Sequence, residues 1–286
     1  MVTQTQLSIR TATLADRQEL ASLLYFESYV HRHLDYRQPL DWIGTQPFLV
    51  IEENRKVVAA LACPRDPPRV AWMRFFATSL RLPVETAWKQ LWSEARAQLQ
   101  QEDGAWWVSA IPQRSWFERL LTHSGFEETH RIVMMLWEGN AFPDVPIPPG
   151  LILRPMSLDD LTEVQKVDEA SFVPVWQNSL TCLETAFLEA VIATSAELDG
   201  RLVGYQISTP TQLGGHLARL AVIPELQGRG IGQALVHDLL TQFERRGARG
   251  VSVNTQKNNL ASLSLYRKMG FALSGEEYPI YQLELQ

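Results

Sequence analysis

The sequence predicts an α/β protein of the layered α+β type, made of two domains that share one plan. At 286 residues the chain is about twice as long as one ordinary domain. Residues 139–150 contain four prolines and two glycines, which predicts a stiff extended linker near the middle of the chain. Segments with strand and helix patterns alternate on both sides, which indicates a mixed central sheet flanked by helices. We therefore expect domains at 1–140 and 151–286, joined by a proline-rich linker at 141–150.

A weak internal repeat supports the duplication. Residues 7–16 match residues 151–160 at an offset of 144, and residues 52–59 meet residues 197–204 at an offset of 145. Two further pairs share the offset of 145: Arg74 with Arg219, and Gly125-Phe126 with Gly270-Phe271. Any one of these pairs could arise by chance, but four in nearly one register indicate that one domain was copied.

The elements of the second half follow in order from local signals. After a short strand, Ser157–Asp160 form a polar turn that caps an amphipathic helix. Asp199-Gly200 is typical of a hairpin turn. An apolar strand at 217–222 leads through a glycine-rich turn into a helix at 231–246, whose apolar residues recur every four positions. A strand at 250–254 and a short helix ending at Gly270 complete the plan.

Composition excludes several functional classes. Hydrophobic residues make up 45% of the chain and the net charge is −6, so we expect packed cores and no nucleic-acid partner. Cys63 and Cys182 are far apart and have no histidine cluster nearby, so we expect buried thiols, with neither a disulfide nor a metal. No apolar stretch is long enough to span a membrane, and residues 1–10 have no signal-peptide pattern. These features predict a soluble cytoplasmic protein with no membrane partner.

The glycines at 228, 230 and 232 lie between a predicted strand and a predicted helix. Glycine permits positive φ and close approach of a ligand, and the free amides at a helix start attract an anion such as pyrophosphate. A Walker loop would need Gly-Lys-Ser/Thr, but Gln233 and Ala234 follow Gly232. A dinucleotide fingerprint would need glycine at Gln233. The turn therefore predicts a phosphate site of a third kind.

Two motifs carry a resemblance to one family. Gln227-x-x-Gly230-x-Gly232 resembles the Q/R-x-x-G-x-G/A pyrophosphate loop of the GNAT superfamily of N-acetyltransferases. Residues 259–271, Asn-Leu-Ala-Ser-Leu-Ser-Leu-Tyr-Arg-Lys-Met-Gly-Phe, are similar to its second signature, N-x-x-A/S-x-x-L-Y-x-K-x-G-F. The resemblance covers about 135 residues of the second half. It implies two GNAT-like domains and a fold in which two parallel strands splay apart to admit acyl-CoA.

The resemblance also implies which residues hold acetyl-CoA. The backbone of Leu220 and Val222 would pair with the pantetheine arm, and the Val222 amide would also polarise the thioester carbonyl. The expected pyrophosphate cradle consists of Gln227, Gly228, Arg229, Gly230, Ile231, Gly232 and Gln233. Arg229 is equally interpretable as a solvated arginine, and Asn259 either touches the pantetheine or caps the following helix. Ser262, one helical turn later, is expected to line the cofactor.

Tyr266 and His216 are the catalytic candidates. By resemblance, the Tyr266 phenol would protonate the leaving thiolate, while the alternative is a half-buried aromatic ring packed under the cofactor. The family often places a carboxylate base on the strand before the phosphate loop, and this strand has none. His216, at the start of that strand, titrates in the useful range, and the alternative interpretation is a polar residue that ends the Gly214-Gly215 turn. A water chain to backbone carbonyls is the other option for the base.

The first half has lost the cofactor motif. At an offset of 145 the loop falls on residues 82–87, where no glycine remains, Pro83 removes an amide, and Glu85 would repel a phosphate. The position of Tyr266 becomes Leu121. Eight of the nine tryptophans belong to this half, at 42, 72, 88, 92, 106, 107, 116 and 137. We interpret it as a degenerate GNAT-like domain whose tryptophans form core, interface or a substrate wall.

The sequence thus predicts an N-acetyltransferase that moves an acetyl group from acetyl-CoA, used as a co-substrate without a metal, to an amine. Direct attack in a ternary complex is the expected mechanism. The acceptor would be a small-molecule amine or a peptide N-terminus. The alternative is a non-catalytic acyl-CoA sensor or interaction module of the same fold. The acceptor, acyl chain length, base and oligomeric state are not specified by the sequence.

Overall fold

The computed structural model describes residues 7–101, 107–139 and 141–285. Two compact units divide the chain: unit 1 contains Met1–Thr129 and Pro279–Gln286, and unit 2 contains His130–Tyr278. Both units combine a sheet with helices, so the predicted layered α/β class is confirmed. None of the helices in the described ranges has the length and apolar character needed to cross a bilayer.

Within the described residues, the first half of the sequence forms three helices and eight strands. The helices are α1 at Arg17–Phe26, α2 at Val84–Gln100 and α3 at Ser115–His123. The strands are β1 Leu7–Thr11, β2 Tyr29–Arg32, β3 Phe48–Glu53, β4 Lys56–Ala62, β5 Val70–Trp72, β6 Phe75–Thr78, β7 Trp107–Ala110 and β8 Glu127–Trp137.

The described residues of the second half form four α-helices and six strands. The helices are α4 at Leu161–Ser171, α5 at Leu180–Leu188, α6 at Ile231–Arg245 and α7 at Leu260–Lys268. The strands are β9 Leu151–Pro155, β10 Ile192–Leu198, β11 Arg201–Thr211, β12 Gly214–Val222, β13 Gly250–Gln256 and β14 Ala272–Glu284. The predicted strand and helix on either side of the glycine turn therefore exist, within a few residues of their predicted ends.

In unit 1 a five-stranded antiparallel sheet has the order β1-β3-β4-β6-β2. Beside it, β5 pairs in parallel with β7. In unit 2 the strand order is β8-β13-β12-β11-β10-β9, and β12 and β13 are the parallel pair. One side of this sheet carries a core cluster that includes Leu239, Phe243 and Tyr266, so the apolar stripe of α6 predicted from its four-residue spacing faces the sheet.

Each unit takes its last sheet segment from the other half of the sequence. Tyr281–Glu284, near the chain's end, pair antiparallel with β7 in unit 1. Ile132–Trp137, from the first half, pair antiparallel with β13 in unit 2. The two halves have thus exchanged their final strands, and the exchange leaves both β7 and β13 hydrogen-bonded on that side.

The internal repeat is visible as two copies of one polar cluster. Arg10 forms salt bridges with Asp16 and Glu52, and the equivalent Arg154 forms them with Asp160 and Glu197. Asp16 and Asp160 also complete capping boxes with Thr13 and Ser157. The arginine lowers the pKa of each aspartate to about 2. A copied hydrogen-bond network of this detail supports duplication more strongly than the matching letters do.

The segment at 141–150 packs along unit 2. Phe142 lies 5.9 Å from Trp137 and 5.3 Å from His237, measured between ring centroids, and Asp144 lies 3.5 Å from the His237 ring. Its end approaches the glycine turn, because a β-carbon built on Gly230 would lie 3.5 Å from Pro148 Cγ. The predicted extended segment is therefore seated on the unit that contains the glycine turn.

The tryptophans of the first half mainly form core. Trp42, Trp72, Trp88, Trp92 and Trp137 are buried, and Trp88 and Trp92 stack with ring centroids 5.8 Å apart. Trp107 and Trp116 are half-buried, and Trp106 lies outside the described residues. Cys63 and Cys182 are buried free thiols, as predicted.

Candidate functional site

The site begins where β12 and β13 diverge. The two strands pair in parallel from Gly214 with Gly250 to Leu217 with Val253, and in the described chain their pairing ends there. On its other side β12 stays paired with β11 as far as Val222. Residues 220–222 of β12 therefore present a strand edge that faces the gap opened by the divergence.

The direction of the backbone amides along β12 follows from its last hydrogen bond. The Ile223 amide donates to the Val203 carbonyl, 2.9 Å away, at the end of β11. Since successive residues of a strand point their amides to opposite sides, the amides of Val222 and Leu220 point away from β11 and into the gap. These are the two residues that the resemblance assigns to the pantetheine arm.

The glycine turn closes one end of the gap. Gly228 has φ of +75° and Gly230, the N-cap of α6, has φ of +87°, both in the left-handed region that favours glycine. The Ala234 amide donates to the Gly230 carbonyl at 2.9 Å and is thus the first to be bonded within α6. The amides of Ile231, Gly232 and Gln233 precede it and are left for a ligand.

A cleft of about 460 Å³ lies between these elements. Its walls include the β12 edge with Leu220 and Val222, the turn with Gln227, Gly228 and Gly230, and the starts of α6 and α7. A β-carbon on Gly228 would meet nothing within 4 Å, so the open space reaches the backbone itself. The cleft, its strand edge and its helix amides fit a long ligand that carries a pyrophosphate, which is the shape and chemistry of acetyl-CoA.

The predicted cofactor residues differ in what they expose. The cleft wall contains nine of them, Leu220, Val222, Gln227, Gly228, Gly230, Gly232, Gln233, Asn259 and Ser262. The Ile231 side chain is buried in the core, which leaves only its backbone for a ligand. The Arg229 side chain is exposed and lies outside the cleft wall. The Asn259 side chain accepts a hydrogen bond from the Ser262 amide at 3.1 Å, so it caps α7 as well as lining the cleft.

Tyr266 lies beneath the cleft. Its neighbours Ser264 and Leu265 line the wall, whereas its own ring is buried in the core cluster, with its centroid 5.7 Å from that of Phe271. Burial raises the pKa of the Tyr266 phenol, and the nearby Arg219 guanidinium opposes part of that shift. The phenol therefore keeps its proton at neutral pH, as a proton donor must.

His216 lies in the part of β12 that is still paired with β13, opposite Ser252. Its Nδ1 is 2.9 Å from Ser252 Oγ, and burial lowers its pKa. Six residues of extended strand separate it from Val222, which is about 20 Å at the usual rise per residue. The ring is therefore neutral and able to accept a proton, but at a distance from the strand edge.

Sequence reasoning missed a buried ionic network beside the cleft. Asp168 on α4 is fully buried, and Arg219 donates to both of its oxygens, at 2.7 and 2.9 Å. The Tyr205 hydroxyl and the Asn178 amide donate to the same carboxylate. Four donors occupy the carboxylate, so the hydrogen bonds of Asp168 are used within the fold.

This network supports the cleft wall opposite the helices. The Arg219 guanidinium lies 3.6 Å from the centroid of the Phe172 ring, and Phe172 lines the cleft. Ser171, next to it, donates from Oγ to the Val222 carbonyl at 3.1 Å. The only sequence signal for these contacts was the pairing of Arg219 with Arg74 in the repeat, which gave no partner. Lys268, another wall residue that reasoning passed over, is the lysine of the second motif.

Among the described residues of unit 1, none forms an equivalent of the glycine turn. Pro83 is the N-cap of α2, and Glu85 lies in its first turn. Thr78, at the end of β6, donates from its hydroxyl to the Leu82 carbonyl at 3.2 Å. The short connection from β6 to α2 therefore lacks the left-handed glycines of unit 2, and Glu85 places a carboxylate beside the first-turn amides of α2.

Comparisons with known proteins agree with this geometry. The sequence profile of the acetyltransferase (GNAT) family matches residues 158–271. An uncharacterized N-acetyltransferase of Methanocaldococcus jannaschii is 29% identical over 122 residues, which are 42% of this chain and 78% of that protein. A putative ribosomal protein bS18-alanine N-acetyltransferase of Bacillus subtilis is 25% identical over 126 residues, 43% of this chain and 82% of that protein.

Two solved structures are similar over nearly the whole chain. A tandem GNAT protein from the clavulanic acid biosynthesis pathway has a TM-score of 0.64 at 14% identity, covering 98% of this chain and 99% of that one. A GCN5-related N-acetyltransferase from Sphaerobacter thermophilus has a TM-score of 0.62 at 17% identity, covering 98% and 96%. At such low identity these matches concern the fold alone, and they confirm two GNAT-like folds in this chain.

Proposed function

We propose that this chain, whose residues 158–271 match the acetyltransferase (GNAT) family, is an N-acetyltransferase that moves an acetyl group from acetyl-CoA to an amine. The observation that carries the proposal is the junction of the free β12 edge with the glycine turn in a single cleft. Acetyl-CoA, when bound, supplies an activated acyl thioester. The role of the protein is to bind and orient the thioester, to polarise its carbonyl, to accept a proton from the amine and to donate one to the departing sulfur.

Binding is assigned to backbone groups. The amides of Ile231, Gly232 and Gln233, reinforced by the α6 dipole, would hold the pyrophosphate. The Leu220 backbone would extend the sheet along the pantetheine arm, as an added strand does. The Val222 amide, pointing into the same gap, would donate to the acyl carbonyl oxygen and stabilise the negative charge that develops there.

Proton transfer is assigned to side chains. Tyr266, protonated at neutral pH because its pKa is raised by burial, would give its Oη proton to the departing sulfur. His216 remains our candidate for the base, and its separation from Val222 requires water molecules to relay the proton from the amine. Direct attack of the amine on the bound thioester needs no covalent intermediate on the protein, and none of the cleft-wall residues is a cysteine.

The acceptor is proposed to be a primary amine of a small molecule or a peptide N-terminus. The relative from Bacillus subtilis is named for an alanine of a ribosomal protein, which supports the peptide class. Purified protein should therefore release thiol from acetyl-CoA in the presence of one member of a panel of amines and peptides, with the acetylated amine confirmed by mass spectrometry.

Gly230→Glu is the matched negative control, because its side chain would enter the turn and repel phosphate. Thiol release that is equal in wild type and Gly230→Glu would place the activity outside this cleft. Tight binding of acetyl-CoA without transfer to any member of the panel would favour a non-catalytic acyl-CoA sensor instead.

A further inference from the structure

Unit 1 contains a second large concavity that the proposed function leaves unused. It is a groove of about 1010 Å³ between α2 and α3. The half-buried rings of Tyr29 and Trp116 line the groove and meet edge-to-face, with centroids 5.3 Å apart. Beneath them the stacked rings of Trp88 and Trp92 are buried, and the Trp88 Nε1 donates to Ser124 Oγ at 2.8 Å.

The groove occupies the position of the acetyl-CoA cleft in the duplicated plan. Helix α3 ends at His123 and α7 ends at Lys268, 145 residues later, and both residues line their respective concavities. The same offset relates three further wall residues: Trp116 with Ala261, Arg119 with Ser264, and Leu120 with Leu265. The equivalent faces of α3 and α7 therefore both line a concavity, but the residues on the two faces differ in size and charge.

The changed residues make the groove unsuited to acyl-CoA. Trp116 and Arg119 stand where unit 2 has the small residues Ala261 and Ser264, so the space for a slender pantetheine arm is filled. Glu85 lines the groove at the start of α2, where a pyrophosphate would otherwise bind. An anionic group bound in the groove would therefore lie away from Glu85, towards the C-terminal part of α2.

Cations do lie further along. Lys89 and Arg96 on α2, with Arg119 on α3, line the groove, and among the described residues Glu85 is the single acidic one in its wall. Across the described part of the chain, none of these three cations forms a salt bridge. Unpaired guanidinium groups in the same groove as half-buried aromatic rings favour a planar ring that carries a carboxylate, sulfonate or phosphate.

We propose that this groove in unit 1 is a binding site for a small aromatic anion, separate from the acetyl-CoA cleft. The ring of the ligand packs on the half-buried rings of Trp116 and Tyr29, and its anionic group pairs with Arg119 and Arg96. The proposal does not depend on the activity of unit 2, because every residue it uses belongs to unit 1.

The test is calorimetric titration of the full chain with 8-anilinonaphthalene-1-sulfonate, and with its uncharged counterpart N-phenyl-1-naphthylamine. We expect one sulfonate bound in the groove, at least tenfold more tightly than the uncharged ring system. Arg119→Ser, which installs the residue found in unit 2, should weaken the sulfonate about tenfold or more, since a charge-assisted contact is lost. The same substitution should leave the affinity for the uncharged compound unchanged.

Arg114→Ser is the matched control, because Arg114 is an exposed arginine at the start of α3 that does not line the groove. It should bind the sulfonate as wild type does. Arg96→Gln provides a second variant on the other helix, and circular dichroism checks that each variant is folded. Equal affinities for the charged and uncharged compounds, or sulfonate binding that survives both Arg119→Ser and Arg96→Gln, would overturn the proposal.

Discussion

Substitution of Gly228 by alanine isolates the contribution of the glycine turn to cofactor binding. Gly228 has φ of +75°, and an added β-carbon would meet nothing within 4 Å, so the cost of Gly228→Ala lies in the backbone alone. Holding alanine in the left-handed region costs about 1–2 kcal/mol. In the free protein the exposed turn can relax and avoid that cost, whereas bound acetyl-CoA requires the native turn. A penalty of this size weakens binding about 5- to 30-fold.

Gly200 provides a control with the same local geometry. It also has φ of +75° with nothing within 4 Å of an added β-carbon, but it lies in the β10–β11 hairpin, outside the cleft wall. Gly200→Ala should lower the melting temperature, because the same strain of about 1–2 kcal/mol destabilises the folded hairpin. The Kd of acetyl-CoA should stay as in wild type. Calorimetry measures the Kd and differential scanning fluorimetry the melting temperature. The reasoning fails if Gly228→Ala binds acetyl-CoA like wild type, or if both variants lose affinity equally.

Four further outcomes are expected. Calorimetry should find one acetyl-CoA per chain, because only unit 2 has the glycine turn, and Gly230→Glu should abolish that binding; two sites would contradict this. Tyr266→Phe should lower kcat by roughly 10²–10⁴-fold with little change in acetyl-CoA affinity. If the variant keeps the kcat of wild type under conditions where the chemical step is rate-limiting, the Tyr266 ring has a packing role only. The pKa of Asp160 is lowered to about 2, so its ion pair stabilises the fold above pH 4 and loses that effect as the pH falls towards 2. The melting temperature of Asp160→Asn should therefore be lower than that of wild type at pH 7, and the difference should narrow between about pH 4 and about pH 2. Fragment 150–286 lacks the strand that pairs with β13 and should aggregate in size-exclusion chromatography, whereas fragment 130–278, which keeps that strand, should be monodisperse.

Local signals were enough for the elements around the site. The four-residue apolar spacing predicted α6, and its buried stripe, including Leu235 and Leu239, packs in the core. The Asp199-Gly200 pair predicted the hairpin, and both residues have the positive φ that such a turn needs. These features depend on neighbours in sequence, so the sequence alone contains their physical cause.

Contacts between distant residues were not predictable in the same way. The Asp168–Arg219 pair joins positions 51 residues apart, and nothing in the letters says which carboxylate a buried arginine will meet. The exchange of final strands was equally hidden, because β8 and β14 are equivalent in the repeat and either would satisfy the edge of β13 by pattern alone. The motif resemblance identified the expected cofactor residues. The position of Tyr266 beneath the cleft wall follows only from the three-dimensional structure.

The strand exchange has a consequence for the order in which the nascent protein matures. The ribosome synthesises the main part of unit 1 first, but β7 receives its antiparallel partner only when residues 281–284 have been synthesised. All of unit 2, His130–Tyr278, is made before that point. Domains usually fold in the order of their synthesis. Here all strands of unit 2 are synthesised before unit 1 is complete. The edge of β7 in unit 1 stays unpaired until residues 281–284 emerge from the exit tunnel.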